Sequence, residues 1–433
     1  MTLARAIAAA YLHTVPGSEF MNNPAHIPRG GGLGGYCPIQ KLPPELLCDI
    51  FHHSVPHPKC RPEVIILPYP SVTEAPLKLG RICRSWRKFV LSDSSLWTEL
   101  SLGANIRRPS LDLVILGEWL ARSQQSPISL AIKYVNPDYD VDDVDRLMAK
   151  VISCSNRWKY LELNLPSQCN WPSFTPLFEA SPNLKVLHIH TKGGDPVKID
   201  LTCQPSLTDL TLFASVQFAS NHSPMRNIRK IRIAFPTIDN YFRCLDLCSS
   251  VEEVKYYFSF TIDFRPSISE PMRILPSITK LSLVLLMAFR YHESLDFGMF
   301  MDRLQLPQLR ALETASFLFM GDIGPWSHAS DLLKRSNAKL ESFKAENSFH
   351  DGDFCECLRQ SPRLKMLLVG SDMMAKLMLD TLTMRSNPEL PFICPQLEHV
   401  ELDFCLTTMA RCRERRTSVD PFTDSVRCIT SFE

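Results

Sequence analysis

Few side chains in this 433-residue sequence are spaced for chemistry. Cys355 and Cys357, with His350 nearby, are of the types that bind zinc, but no second pair lies at usable spacing, so no metal is expected there. His52, His53, His57 and Cys60 surround a proline-rich stretch. They could hold a metal, but loop histidines are ordinarily solvated, and that is how they are read. Asp138, Asp140, Asp142, Asp143 and Asp145 alternate like calcium-loop carboxylates; the required glycine and closing glutamate are missing, which leaves an acidic loop leading into a helix. Arg411, Arg413, Arg415 and Arg416 read as a solvated helix face, with a nuclear address as the other reading. There is no Gly-x-x-x-x-Gly-Lys phosphate loop and no Gly-x-Ser-x-Gly elbow. The expectation is a protein with no catalytic residues, no metal and no cofactor.

Composition narrows the partners. Lys plus Arg (47) and Asp plus Glu (46) nearly cancel, a balance that argues against a nucleic-acid or membrane-surface role. The apolar share, 45%, suffices for a buried core. The 15 cysteines are odd in number and scattered, as suits a reducing compartment, cytoplasmic and/or nuclear. No apolar run reaches the roughly 18 residues of a membrane span. The richest, Leu281 to Phe289, is closed by Arg290, so no membrane is expected. The first twelve residues, with one base at Arg5, read as a lead-in rather than a targeting peptide.

The elements that would position any site come next. Residues 1–38 are low in order, and Gly30, Gly31, Gly32, Gly34 and Gly35 hold no regular structure well. A helix is expected over Leu42–His53, with Pro44 in its first turn and Leu46, Leu47, Ile50 and Phe51 on one face. Five prolines then make Ser54–Glu74 an extended loop that bulges away from the helices. Helices follow over Pro76–Cys83 and Arg84–Leu91, a strand over Leu96–Leu102, a helix over Asp112–Ser123 and a strand over Pro127–Tyr134.

From Trp158 one apolar pattern, Leu-x-x-Leu-x-Leu, recurs ten times at intervals of 21 to 33 residues. Its anchors run from Trp158/Leu161/Leu163 through Leu207/Leu210/Leu212 and Ile278/Leu281/Leu283 to Leu397/Val400/Leu402, with the triplets from Leu309 and Leu340 degenerate. Proline precedes several first anchors, a position where no ladder N–H is needed. A unit of one short strand and a return segment cannot hide its own apolar side. Stacked units bury a continuous core and align their strands in a parallel sheet.

Upstream, Leu42-Pro43-Pro44-Glu45-Leu46-Leu47-Cys48-Asp49-Ile50-Phe51, Leu79-Gly80-Arg81-Ile82-Cys83-Arg84-Ser85-Trp86-Arg87 and Leu96-Trp97 together resemble the F-box. The array resembles the leucine-rich-repeat domains attached to many F-box proteins, and phrases such as Arg157-Trp158-Lys159-Tyr160-Leu161-Glu162-Leu163 resemble the F-box families of mushroom-forming fungi. The loop from Ser54 is longer than in a compact F-box. The fold expected is α/β: a small three-helix F-box followed by an irregular leucine-rich-repeat solenoid with a parallel β-sheet. Its divisions are a disordered segment (1–38), the F-box (39–102), a connecting region (103–156), the repeats (157–405) and a tail (406–433).

What this resemblance implies is a non-catalytic subunit. The F-box would dock on the Skp-type adaptor of an SCF (cullin–RING) ubiquitin ligase, and the repeats would capture a protein substrate. A three-helix unit hides little surface, so Leu42, Pro43, Leu46, Ile50, Leu79 and Trp97 are the adaptor-contact candidates, with Trp86, Phe89 and Ile82 expected inside. In the repeats, residues flanking the second and third anchors face the concave side. Val186, His188 and His190 are displayed by one unit; in others Lys230, Arg232, Lys255 and Lys280 form a basic stripe beside Phe213 and Tyr257, suited to an acidic or phosphorylated segment. The competing readings are an F-box scaffold without a role in ubiquitination and a hydrolase or transferase on an α/β domain.

Overall fold

A computed structural model describes residues 42–404 and the strand at 426–431, except 56–58, 62–63, 104–107, 136–138, 167–180, 192–195, 200–203, 219–224, 235–236, 259–270, 286–297, 317–327, 347–350, 371–381 and 383–392. The chain packs as two units, one ending at Asp195 and one starting at Pro196. The segments 1–38 and Arg411–Arg416 lie outside the described residues.

The first unit opens with α1 (Pro44–Ser54), a short antiparallel pair β1 (Lys59–Arg61) and β2 (Val64–Ile66), and α2 (Arg84–Ser92). Pro44 stands in the first turn of α1, where its missing N–H costs no bond. The helix expected over Pro76–Cys83 is instead a run of turns with one 3₁₀ segment, Leu79–Arg81. Gly80, a poor helix former, sits in its middle. The sequence then builds four parallel strands, β3 (Glu99–Leu102), β4 (Ile128–Lys133), β5 (Trp158–Leu165) and β6 (Val186–Thr191), in that order across the sheet. Helices α3 (Pro109–Ser123) and α4 (Val141–Ile152) make the first two crossovers. Asp140 caps α4 by accepting from the Asp142 N–H at 3.0 Å, and Asp143 pairs with Arg146, while Asp138 lies outside the described residues.

The sheet begins at Glu99, not at residue 157. Leu100 and Leu102 pair with Leu130 and Ile132, which pair with Leu161 and Leu163 and these with Leu187 and Ile189, all fully buried. Ile115, Leu116, Trp119, Val144, Leu147 and Val151 of the two helices complete that core. Gly103 ends β3 with φ +84°; a Cβ there would meet the Lys133 carbonyl oxygen at 2.6 Å.

The second unit contributes β8 (Asp209–Phe213), β10 (Lys230–Ala234), β11 (Glu253–Phe258), β13 (Lys280–Leu285), β15 (Ala311–Ser316), β16 (Ser342–Glu346), β17 (Met366–Val369) and β18 (His399–Phe404), parallel and in chain order. Side pairs β7 (Val197–Ile199) with β9 (Val216–Phe218), and β12 (Arg273–Ile274) with β14 (Leu304–Gln305), flank them. The helices are α5 (Ile238–Leu247), α6 (Gly298–Met301), α7 (Ala329–Ser336) and α8 (Asp351–Arg359). A last strand, β19 (Val426–Ser431), lies antiparallel on β18, inside the segment expected as a tail. Tyr241, Phe242, Tyr256, Phe258 and Phe300 form a buried aromatic cluster with ring centroids about 5–6 Å apart.

The anchors pair in register. Leu210, Ile231, Val254, Leu281, Leu312, Phe343, Leu367 and Val400 stand side by side in eight successive strands. All eight are buried, and so are the degenerate anchors Thr314 and Ala345. The prolines have a sharper role than mere tolerance. In Ser181-Pro182-Asn183-Leu184 the anchor N–H returns to the Ser181 carbonyl at 3.0 Å, a turn with proline at its second position. The same closure recurs from Leu207 to Gln204 (3.3 Å), Leu309 to Leu306 (3.1 Å), Leu364 to Ser361 (3.1 Å) and Leu397 to Cys394 (3.1 Å).

Candidate functional site

Two surfaces and one side-chain cluster stand out. The first surface is on α1. Phe51 is buried and packs its ring 4.7 Å from Trp86 and 5.3 Å from Phe89, clamping α1 to α2. That pins one face of α1 and turns another outward: Leu46 is 49% and Ile50 39% exposed, one turn apart. Pro43 is exposed and Leu42 half-buried. Ile82, expected inside, is 56% exposed, and Leu91 at the end of α2 is exposed as well.

Leu79 and Trp97 correct the sequence reading. Both are buried. Trp97 donates its indole N–H to the Val90 carbonyl at 2.8 Å, sets its ring edge-on to Trp119 at 4.7 Å and carries the Arg122 guanidinium over its face at 4.4 Å. It joins the helices to the sheet and has no surface left for a partner.

The segment after α1 is corrected too. It does not run free. Leu67 packs on Ala131 and Tyr160, with Ile65 and Val186 beside it, and the Pro68 carbonyl accepts from Ser101 N–H at 2.9 Å. Val64-Ile65-Ile66-Leu67 is an apolar run inside the proline-rich stretch, and burying Leu67 drives the segment onto the sheet face opposite the leucine anchors. Beneath lie Lys133 paired with Glu162 (2.9 Å), and Tyr160, whose hydroxyl donates to Glu162 (2.9 Å). His188 is buried in this group rather than displayed. Burial pushes His190 down to about 4, with Glu162 pulling the other way.

The second surface is the equivalent face of the second unit, β8 to β16. The register lays it out in rows: Asp209, Lys230, Glu253, Lys280; then Thr211, Arg232, Lys255, Ser282, Glu313, Lys344; then Phe213, Ala234, Tyr257, Val284. The bases expected as a stripe are therefore interleaved with acids. Lys230 pairs with Glu253 at 2.8 Å, Arg232 with Asp209 at 2.8 Å and Lys280 with Glu313 at 2.6 Å. Lys255 sets its ammonium 5.2 Å from the centre of the Tyr257 ring, and Tyr257 meets Phe213 edge to face at 4.8 Å. The six residues do come together. They make a charge-compensated face with an aromatic pair at one end, not a bare positive groove, because opposite charges on adjacent strands satisfy each other.

The cluster joins α1 to the turn after α2. Cys48 donates its thiol to Asp93 Oδ2 at 3.2 Å, and His52 Nε2 lies 3.6 Å from the same oxygen and 2.8 Å from Ser95 Oγ. The other carboxylate oxygen accepts from Ser95, including its N–H at 3.0 Å. Burial, then the Asp93 hydrogen bond, pushes the Cys48 thiol up to about 11. Burial opposes the ionised form of Asp93, but the bonds from Ser95 and Cys48 outweigh it and hold the carboxyl below its ordinary value. Sequence reading singled out His52 but missed Cys48 and Asp93. Cys-x-x-x-His on one helix was the available signal. The other cysteine–histidine set gains nothing: Cys357 is buried and its thiol pushed well up by burial, while His350 and His57 lie outside the described residues.

Parallel strands with paired apolar anchors, proline-turn starts and helical or irregular returns define a mixed α/β, leucine-rich-repeat-like, solenoid-type protein. No family profile and no curated protein matches the chain. Among solved structures, TLR13 in its complex with ssRNA13, a leucine-rich-repeat protein, is similar at 16% identity and a TM-score of 0.32, over 58% of this chain and 37% of that one. Among the described residues no helix is long and apolar enough to cross a membrane.

Proposed function

We propose that the chain is the substrate-recognition subunit of an SCF-type ubiquitin ligase, with its N-terminal helices acting as the F-box. The observation that carries this is the pair Leu46 and Ile50, apolar side chains left exposed on a helix that already has a core of its own around Phe51. An uncovered apolar helix face suits a partner. The adaptor contacts are then Leu42, Pro43, Leu46 and Ile50, joined by Ile82. The F-box motif residues Trp86, Phe89 and Trp97 serve packing.

The substrate would lie on the β8–β16 face, over Lys230, Arg232, Lys255, Lys280, Phe213 and Tyr257. Carboxylates or phosphates of a bound segment would exchange with Asp209, Glu253 and Glu313, while the aromatic pair supplies apolar area. The complex would work in the cytoplasm or nucleus, in keeping with the eight cysteines that stand as free thiols among the described residues.

Capture of the purified Skp-type adaptor by the full chain tests the docking, with Leu46→Asp as the disabling change. Undiminished capture by that variant refutes it. Recovery of cullin along with the adaptor separates a ligase subunit from a scaffold. Reversing Lys230, Arg232 and Lys255 to Glu should end substrate capture and spare the adaptor; equal capture refutes the substrate face.

A further inference from the structure

We propose that Cys48, His52 and Asp93 form a binding site for one zinc ion, which fastens the C-terminal half of α1 to the turn that follows α2. The three donor atoms, one from each residue, all lie within 4.8 Å of one another. Two of the separations are 3.2 Å (Sγ to Oδ2) and 3.6 Å (Nε2 to Oδ2). A tetrahedral zinc with bonds of about 2.3 Å to sulfur and about 2.0 Å to nitrogen and oxygen requires donor–donor edges of about 3.3–3.5 Å. The two edges to Asp93 already lie close to that spacing, and the third is no longer than 4.8 Å.

Their chemistry fits the same ion. One thiol, one imidazole and one carboxylate make a mixed S/N/O set, which a borderline-soft divalent cation accepts and a hard one such as magnesium does not. Cys48 and His52 are one helical turn apart, so α1 presents both on one side. Asp93 divides its work: one oxygen takes the Ser95 bonds that fix the carboxylate, and the other faces Cys48 and His52. That is the outer-shell support that orients ligating carboxylates. Binding replaces the thiol proton, released to solvent, by the metal; no redox step is involved. Ser95 Oγ, 2.8 Å from His52 Nε2, or a water molecule completes the fourth position.

The surroundings allow access. All three residues are partly buried, open enough for an ion to enter. The site sits beside the exposed face of α1, with Asp49 and Ile50 between its two helical ligands, so the ion would hold rigid the helix proposed to dock.

The test is metal titration of the reduced, chelator-treated full chain with cobalt(II), followed by displacement with zinc(II). The expected result is one equivalent bound, with a thiolate-to-cobalt charge-transfer band that zinc abolishes. Cys48→Ser and His52→Gln should each lose that equivalent, and Asp93→Asn should weaken it about tenfold or more. Asparagine can still cap Ser95, so the Asp93 variant stays informative if the other two fail to fold. Zinc should also raise the Tm of the intact chain and not that of the variants. Absence of the band in the unmutated protein, or an unchanged equivalent in the three variants, overturns the site. Because the titration needs no adaptor, its outcome is independent of the proposed ligase role.

Discussion

Leu46 and Ile50 offer the sharpest quantitative test of the docking surface. They are 49% and 39% exposed, while Trp97, from the same motif, is 1% exposed. Full burial of an aliphatic side chain is worth about 1.5–3 kcal/mol, so covering the exposed part of each is worth about 1 kcal/mol. Truncating both to alanine should therefore cost about 2 kcal/mol of adaptor binding, roughly a 30-fold rise in Kd. The part of each side chain already covered in the free chain is worth about 1 kcal/mol by the same measure, so folding stability should fall by at most about 2 kcal/mol, less than a core truncation costs. Trp97→Ala should behave in the opposite way. It empties a core site and leaves the Val90 carbonyl without its donor, a loss of about 3–5 kcal/mol in stability. Calorimetric titration with purified adaptor, beside thermal unfolding, reads both quantities. An unchanged Kd in the Leu46→Ala/Ile50→Ala protein would show that the adaptor does not cover this face. A fall in Tm as large as that of Trp97→Ala would show that the two side chains are core.

Three further outcomes follow from the packing. Burial holds His190 near 4 against an ordinary 6.5, so the unfolded chain takes up its proton first as pH falls. This part of the stability is complete above about 6.5 and is lost between about 6.5 and about 4; His190→Gln should flatten the fall seen in urea unfolding between pH 7 and pH 5, and parallel curves would refute it. Arg232 and Asp209, with side chains 16% and 19% exposed, should show a coupling of about 1 kcal/mol in a double-mutant cycle, and additive losses would dismiss the pair as surface decoration. The Tyr256 hydroxyl is buried with no hydrogen-bond partner among the described residues, so Tyr256→Phe should be neutral or stabilise by about 1 kcal/mol. A clear loss of Tm would mean the hydroxyl does have a partner.

Much of the array was legible because its signal is local. A triplet such as Leu281/Leu283 after Ile278 states within six residues which side of a strand is greasy. Burial then selects the register that sets those residues beside Val254, Tyr256, Leu312 and Thr314. Pro-x-Leu at five of the ten starts closes its own turn and reads equally well from the chain alone. The first strands of the sheet were visible as strands, but not as members of the array. Trp97/Leu100/Leu102 fits the triplet, but Pro127 stands where Leu130/Ile132 needs its first anchor, and well-formed helices separate the strands, so nothing nearby in the sequence announces that they pair.

The surfaces were less legible, because exposure is a property of what lies opposite. Leu79 and Ile82 share one turn of chain; the fold buries the first and leaves the second in water. Lys230, Arg232 and Lys280 read as a positive stripe until Asp209, Glu253 and Glu313 are brought alongside from other strands. The Cys48–Asp93 contact spans 45 residues, a separation at which no periodicity operates. Which faces are apolar and where strands and turns begin can be read along the chain, since both depend on residues a few positions apart. Tertiary structure alone decided which charges are compensated, which apolar side chains remain open to a partner and which three ligand-type side chains meet, since those depend on neighbours that only packing supplies.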